Sequence, residues 1–185
     1  RTNKYSNNLF AELILRTLGR ERGAMLSTPE PPGRERGDEE SGVALIRLWM
    51  ERAGISTAGL ALHDGSGLSR LNLVTPESTV RLLIAMSRTS SADIFLQSLP
   101  IAGEDGTLAG RLKSAGNRLR AKTGSLTYDN SLSGYATGPD GKTLAFSIYS
   151  NDHVGTGSST RLIDSIATLI ASGGASPSRN PEKAH

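Results

Sequence analysis

The sequence predicts an α+β fold in which an antiparallel sheet is covered by helices. Three observations carry that prediction. Apolar residues recur at helical spacing through much of the first half, the spacing shortens to alternation after Gly116, and a helical spacing returns at 158–171. Within the alternating region, Leu119 and Ala121, then Leu132, Gly134 and Ala136, then Leu144, Phe146 and Ile148 mark three short strands. The turn "GPDG" joins 131–137 and 143–150 as an antiparallel hairpin, and "TYDN" separates the first strand from the second.

The helices follow from their faces and ends. In "NLFAELILRTL", Leu9, Leu13 and Leu18 fall near one side, Phe10 and Ile14 widen that apolar stripe, Asn7 or Asn8 caps the start and Gly19 ends it. Residues 20–40 mix Pro, Gly and charge and read as a long surface loop. A helix resumes near Glu40, with Val43, Ile46, Leu48 and Met50 in apolar positions, and finishes by Gly54. At "TPESTVRLLIAM", Thr75 is an N-cap, Pro76 occupies the first helical position, and Val80, Leu83 and Ile84 form the buried stripe. A short helix covers 91–98, and "GEDGTLAGRL" is a turn feeding another helical piece. The closing helix uses Leu162, Ile163, Ile166 and Leu169, which gives one domain over 1–172 and a disordered tail over 173–185.

Composition narrows the chemistry. The 185 residues hold no cysteine, which removes disulfides, thiolate nucleophiles and zinc–thiolate sites. Because 21 basic residues are offset by 18 acidic ones, the net charge of +3 gives little support for a polyanionic partner. The basic run "RLKSAGNRLRAK" lacks aromatic interleaving and reads as a solvated face rather than a nucleic-acid surface. No run approaches the roughly 18 apolar residues of a membrane helix. His63 and His153 are not at metal-ligand spacing, and no metal or organic cofactor is expected.

Two short stretches carry candidate chemistry. At the head of the first strand, Lys122 and Gly124 share one face by strand period and Thr123 points to the other, while Ser125 adds a hydroxyl and an N–H. Such groups grip a carboxylate or stabilise a developing oxyanion, and glycine admits close approach of a ligand. An edge-strand lysine that discourages pairing is the plainer account, and a Lys-Thr-Gly tripeptide arises by chance in about one chain in twenty of this length. Near the N-terminus, Ser6 and Asn8 place a hydroxyl and a carboxamide two residues apart, suited to proton relay and to donation to a carbonyl, or simply to capping a helix. Ser66 in "HDGSGLSR" invites a nucleophile assignment, but Asp64 and Leu68 stand where the elbow motif needs glycine.

Read in order, "KYSNNLFAELILRTLG", "DGSGLSRLNLVTP", "IAGEDGTLAGRL", "LRAKTGSL" and "SLSGYATGPDGKTLAFSIYSN" resemble the C-terminal part of the peptidase S13 family. These are penicillin-binding D-alanyl-D-alanine carboxypeptidases and endopeptidases of the DacB type. The resemblance implies a penicillin-binding, serine beta-lactamase-like transpeptidase domain and three active-site elements, Ser-x-x-Lys, Ser-x-Asn and Lys-Thr-Gly. It makes Ser6, Asn8 and Lys122 catalytic: Ser6 passes a proton toward the leaving amine, Asn8 holds the first-element lysine and contacts the substrate amide, and Lys122 maintains the network and favours negative charge. It makes Thr123, Gly124 and Ser125 substrate-binding, with the Ser125 N–H forming half of an oxyanion hole. Asp64 and Arg70 fix the loops that support the site. Peptidoglycan stem peptides and beta-lactams become the expected ligands, and the periplasm or outer face of a bacterial envelope the expected location.

One element does not occur: no serine among the 185 residues has lysine three positions on. The resemblance therefore implies that the nucleophile, the base lysine and the first strands of the sheet belong to a missing N-terminal part of the same domain. It predicts that this chain alone is inactive and folds marginally, with a fragment and a degenerate homologue both open. A serine beta-lactamase-like hydrolase and a non-catalytic peptidoglycan-binding homologue are the alternative functions.

Overall fold

The computed structural model describes residues 1–26, 37–152 and 159–174. Of the loop expected over 20–40, residues 27–36 lie outside the described residues and both ends are helical; of the tail expected over 173–185, residues from 175 on lie outside them. The chain divides into two compact units, 1–98 and 99–185.

The first unit is helical. Helix α1 covers Thr2–Tyr5, α2 Asn8–Arg22, α3 Asp38–Arg52, α4 Pro76–Met86 and α5 Ala92–Ser98. The Asn7 side chain caps α2 by accepting from the Phe10 N–H at 2.9 Å. Thr75 and Ser78 form a reciprocal capping box on α4, with Pro76 in its first turn. Asp38, Glu39 and Glu40 occupy the first turn of α3, where carboxylates complement the exposed N–H groups of a helix start.

Two expectations for α2 are corrected. The helix does not end at Gly19 but continues to Arg22, and a 3-10 turn, Gly23–Met25, follows. The expected apolar stripe also faces out: Leu9 is 64% exposed and Ile14 60%, whereas Leu15 and Gly19 are buried. The cause is the approach of α3. A Cβ on Gly19 would lie 1.7 Å from the Asp38 carbonyl oxygen, and one on Gly42 would lie 2.4 Å from the Leu15 carbonyl oxygen. Residues 11, 15 and 19 form a ridge of i+4 spacing whose small members allow two helix backbones to touch, and that contact outweighs the longer apolar side chains. Arg16 bridges the same pair, bonding Glu12 on its own helix at 2.6 Å and Glu39 on α3.

The second unit carries the sheet. Strands β1 (Leu119–Leu126), β2 (Asp129–Thr137) and β3 (Thr143–Ser150) are antiparallel in that order, and α6 (Ser159–Ala171) packs against β2 and β3. The "GPDG" turn is as expected, closed by the Gly138 N–H on the Lys142 carbonyl at 2.9 Å. The first turn is tighter than "TYDN": Leu126 pairs with Asp129, only Thr127 and Tyr128 turn, and Asp129 and Asn130 already belong to β2.

One core joins Leu119 and Ala121 of β1, Leu132 and Ala136 of β2 and Phe146 of β3 to Ile163, Ala167 and Ala171 of α6. Of the four apolar positions expected to face the sheet from this helix, Ile163 does so, while Leu162 is 64% exposed. As in α2, an i+4 ridge ending in small residues sets the packed face. Arg111 fixes α6 through two bonds to Asp164, at 2.7 and 3.1 Å, and Arg118 donates to the Ala171 carbonyl at its C-terminal end.

Replacement of Gly19 by Ala is expected to destabilise the protein by about 1–3 kcal/mol, because the methyl group meets backbone that cannot move aside. Urea unfolding followed by circular dichroism measures it, and a change below about 0.5 kcal/mol would show that the helices separate freely.

Candidate active site

In the first unit, Ser6 ends α1 in the left-handed region, at φ 52° and ψ 51°, and its N–H bonds the Thr2 carbonyl. Asn7 caps the next helix and Asn8 is its first residue. The Ser-x-Asn triplet therefore sits at a sharp break between two helices, in a backbone state that costs a non-glycine residue roughly 1 kcal/mol or more and that recurs at functional sites. Both ends of this break are held. Asn3 donates to Ser98 Oγ of α5 at 2.8 Å, and α2 is buttressed by the "HDGSGLSR" loop, whose Gly65 N–H donates to Glu12 Oε2 at 2.8 Å. Gly65 lies close under α2, since a Cβ there would meet the Ala11 carbonyl oxygen at 2.7 Å.

Asp64 organises that loop. It accepts from Asn72 Nδ2 at 2.6 Å, Ser66 Oγ at 2.8 Å, and the N–H groups of Gly67 and Ser69 at 3.0 and 3.1 Å. Burial pushes its pKa up, but these four donors outweigh burial and hold it below the ordinary value. The Gly65 N–H and then Arg16 lower the Glu12 carboxyl in the same way. Ser66 spends its hydroxyl hydrogen on Asp64, so it staples the loop.

In the second unit, β1 brings Lys122, Thr123, Gly124 and Ser125 together. The edge geometry is set just upstream. Pro100 accepts from the Ala121 N–H at 3.0 Å, and the Ala102 N–H donates to the Leu119 carbonyl at 3.0 Å. Residues 100–102 thus cover the outer edge of β1 as far as Ala121. Since Ala121 faces outward with its N–H, strand period turns the N–H and C=O groups of Thr123 and Ser125 outward as well. Among the described residues no backbone group pairs with this edge beyond Ala121.

The side chains around that edge are polar and held. Lys122 is half-buried, donates from Nζ to the Thr123 carbonyl at 2.5 Å, and has its pKa lowered by burial. Thr123 Oγ1 donates to Thr107 Oγ1 at 2.8 Å; Thr107 lies in a 3-10 turn, Gly106–Leu108, from the "GEDGTL" stretch. Ser125 Oγ donates to Asn130 Oδ1, its register partner on β2, at 2.8 Å. A Cβ on Gly124 would lie 2.3 Å from Ser131 Oγ, so a side chain there would displace that hydroxyl.

The sequence gives no local signal for the partners Thr107 and Asn130: Thr107 lies within "GEDGTL", 16 residues from Thr123, and Asn130 lies within the turn-rich "TYDN". A two-residue turn after Leu126 would have placed Asn130 opposite Ser125.

Acidification is expected to weaken the Asp64 and Glu12 anchors. Their depressed pKa values stabilise the fold fully at neutral pH, and that contribution is lost as pH falls through the carboxylate range, below about 4. Unfolding midpoints measured from pH 7 to pH 2.5 are predicted to fall less steeply for Asp64→Asn than for wild type.

Comparison with known proteins gives the family of the chain. The profile of the D-Ala-D-Ala carboxypeptidase 3 (S13) family matches residues 1–172. The chain is 38% identical over 175 residues to a D-alanyl-D-alanine carboxypeptidase of an Actinomadura species (strain R39), covering 91% of this chain and 30% of that protein. It is 33% identical over 178 residues to carboxypeptidase DacB of Mycolicibacterium smegmatis, covering 91% and 36%. Its structure superposes on penicillin binding protein 4 (dacB) of Haemophilus influenzae with a TM-score of 0.77 at 26% identity, over 92% of this chain and 38% of that one. The chain spans about a third of the length of the relatives it matches.

Proposed function

Because the chain belongs to the D-Ala-D-Ala carboxypeptidase 3 (S13) family, we propose that it forms the substrate-side wall of a serine acyl-transfer site acting on D-Ala-D-Ala ends of peptidoglycan peptides in the bacterial envelope. The observation that carries this reading is the edge of β1, which is closed by residues 100–102 up to Ala121 and, among the described residues, has no backbone partner at Thr123 and Ser125, where Lys122 Nζ holds the Thr123 carbonyl. An extended peptide pairs with such an edge through its own backbone. The Ser125 N–H points toward the carbonyl under attack and stabilises the charge that develops on its oxygen.

The hydroxyls of Thr123 and Ser125 receive the terminal carboxylate, and the Lys122 ammonium supplies opposite charge from a site where burial has removed much of its water. Ser6 relays a proton toward the leaving amine, and Asn8 contacts the substrate amide. Residues 1–172 act as one part of a peptidase domain. The acyl-enzyme step needs a Ser-x-x-Lys element, which these 185 residues do not contain, so the chain alone binds without being acylated.

Two measurements test this. N-acetyl-D-Ala-D-Ala, titrated into the 15N-labelled chain, is expected to shift the amide signals of residues 122–126, and its C-terminal amide to bind at least tenfold more weakly, since a charged hydrogen bond is lost. Equal binding of acid and amide would overturn the wall assignment. Lys122→Met is expected to abolish the preference for the acid. It should also raise the unfolding midpoint, because the cost of the buried ammonium is present at neutral pH and is relieved only as pH rises toward the ordinary lysine range. Fluorescent penicillin should leave no covalent label on this chain, and a label would place a nucleophile within it.

A further inference from the structure

Ser125 has one hydroxyl hydrogen, and that hydrogen is committed. It goes to Asn130 Oδ1 at 2.8 Å. The other end of the same amide is committed too, because Asn130 Nδ2 donates to Ser159 Oγ at 2.9 Å, and Ser159 is buried at the start of α6. The amide is thereby fixed in orientation, with its oxygen toward β1. A second hydroxyl stands near that oxygen: Thr160 Oγ1 lies 3.5 Å from Asn130 Oδ1, at the outer limit of a hydrogen bond.

In this state Ser125 Oγ offers outward only lone pairs, which repel an anion. To donate to a carboxylate it must turn its hydrogen away from Asn130, and Asn130 Oδ1 then loses its short partner. An amide oxygen that loses its donor is unfavourable to the extent that water does not replace the lost bond. Thr160 is the group placed to remove that cost, by closing from 3.5 Å to an ordinary bond length.

We propose that Asn130 and Thr160 are positioning residues that regulate the Ser125 hydroxyl: Asn130 holds its hydrogen until an anionic peptide end arrives, and Thr160 then replaces Ser125 as donor to Asn130. The proposal rests on the reading of Ser125 as a carboxylate donor. It couples the start of α6 to the substrate edge through two side chains, with no movement of backbone. Arg120 and Lys122 are the cations on the same strand; no carboxylate is in the hydrogen-bonded chain that runs from Ser125 through Asn130 to Ser159 and Thr160.

A double-mutant cycle on the 185-residue chain tests the exchange, with N-acetyl-D-Ala-D-Ala as ligand and amide shifts as readout. Thr160→Val is expected to weaken binding about fivefold, the loss of one net hydrogen bond. Asn130→Ala removes the competing acceptor and is expected to bind no more weakly than wild type. In the Asn130→Ala background, Thr160→Val is expected to have no effect. Unfolding midpoints of all four proteins are recorded, since a merely structural loss at α6 would lower binding by Thr160→Val in both backgrounds. That outcome, or an unchanged affinity for Thr160→Val alone, overturns the proposal while leaving the wall reading intact. If the wild-type chain shows no shift at residues 122–126, the wall reading fails and the exchange fails with it.

Discussion

The pairing of residues 100–102 with the start of β1 is the constraint on which the second unit depends. It fixes which residues of β1 face outward, and it stops after Ala121. Had the clasp run two residues further, the N–H of Thr123 would be consumed within the protein. Had it been shifted by one residue, Lys122 and Gly124 would present their backbone outward, and Thr123 and Ser125 would bond to β2. The same strand serves both core and edge: Leu119 and Ala121 are fully buried in the core, while the following residues exchange packing for polar bonds.

A second rule recurs in both units. In α2 and α6 the buried face is the one with small residues at i+4 spacing, through Gly19 in α2 and through Ala167 and Ala171 in α6. Close approach brings backbone and Cβ atoms into contact along the whole ridge, and packing density makes such contact worth more than the burial of a few longer side chains. The polar groups near the candidate site follow a comparable economy. Asp64, Glu12 and Asn130 each accept or donate more than one bond, so each side chain fixes two or more segments at once.

Much of the secondary structure was legible. The N-cap at Thr75, the "GPDG" hairpin and the final helix all rest on interactions between residues close in sequence, which local patterns encode. The errors have a shared origin. The end of α2 and its buried face differ from the local pattern because Gly19 carries two meanings, a helix stop in local terms and a contact surface once α3 is present. Asn130 was passed over because "TYDN" is rich in turn formers, and only the register of β1 against β2 shows that it faces Ser125.

The sequence by itself determined the class of fold, the order of its elements, the family resemblance and the identity of the Lys-Thr-Gly and Ser-x-Asn stretches. Those properties reside in residue type and spacing along the chain. Tertiary structure alone decided which edge of β1 lacks a backbone partner among the described residues, which hydroxyls are already bonded, and that Thr107 and Asn130 bond Thr123 and Ser125 while Thr160 stands behind Asn130. Hydrogen-bond direction depends on which atoms meet across segments 16 to 30 residues apart, and no local pattern specifies that meeting.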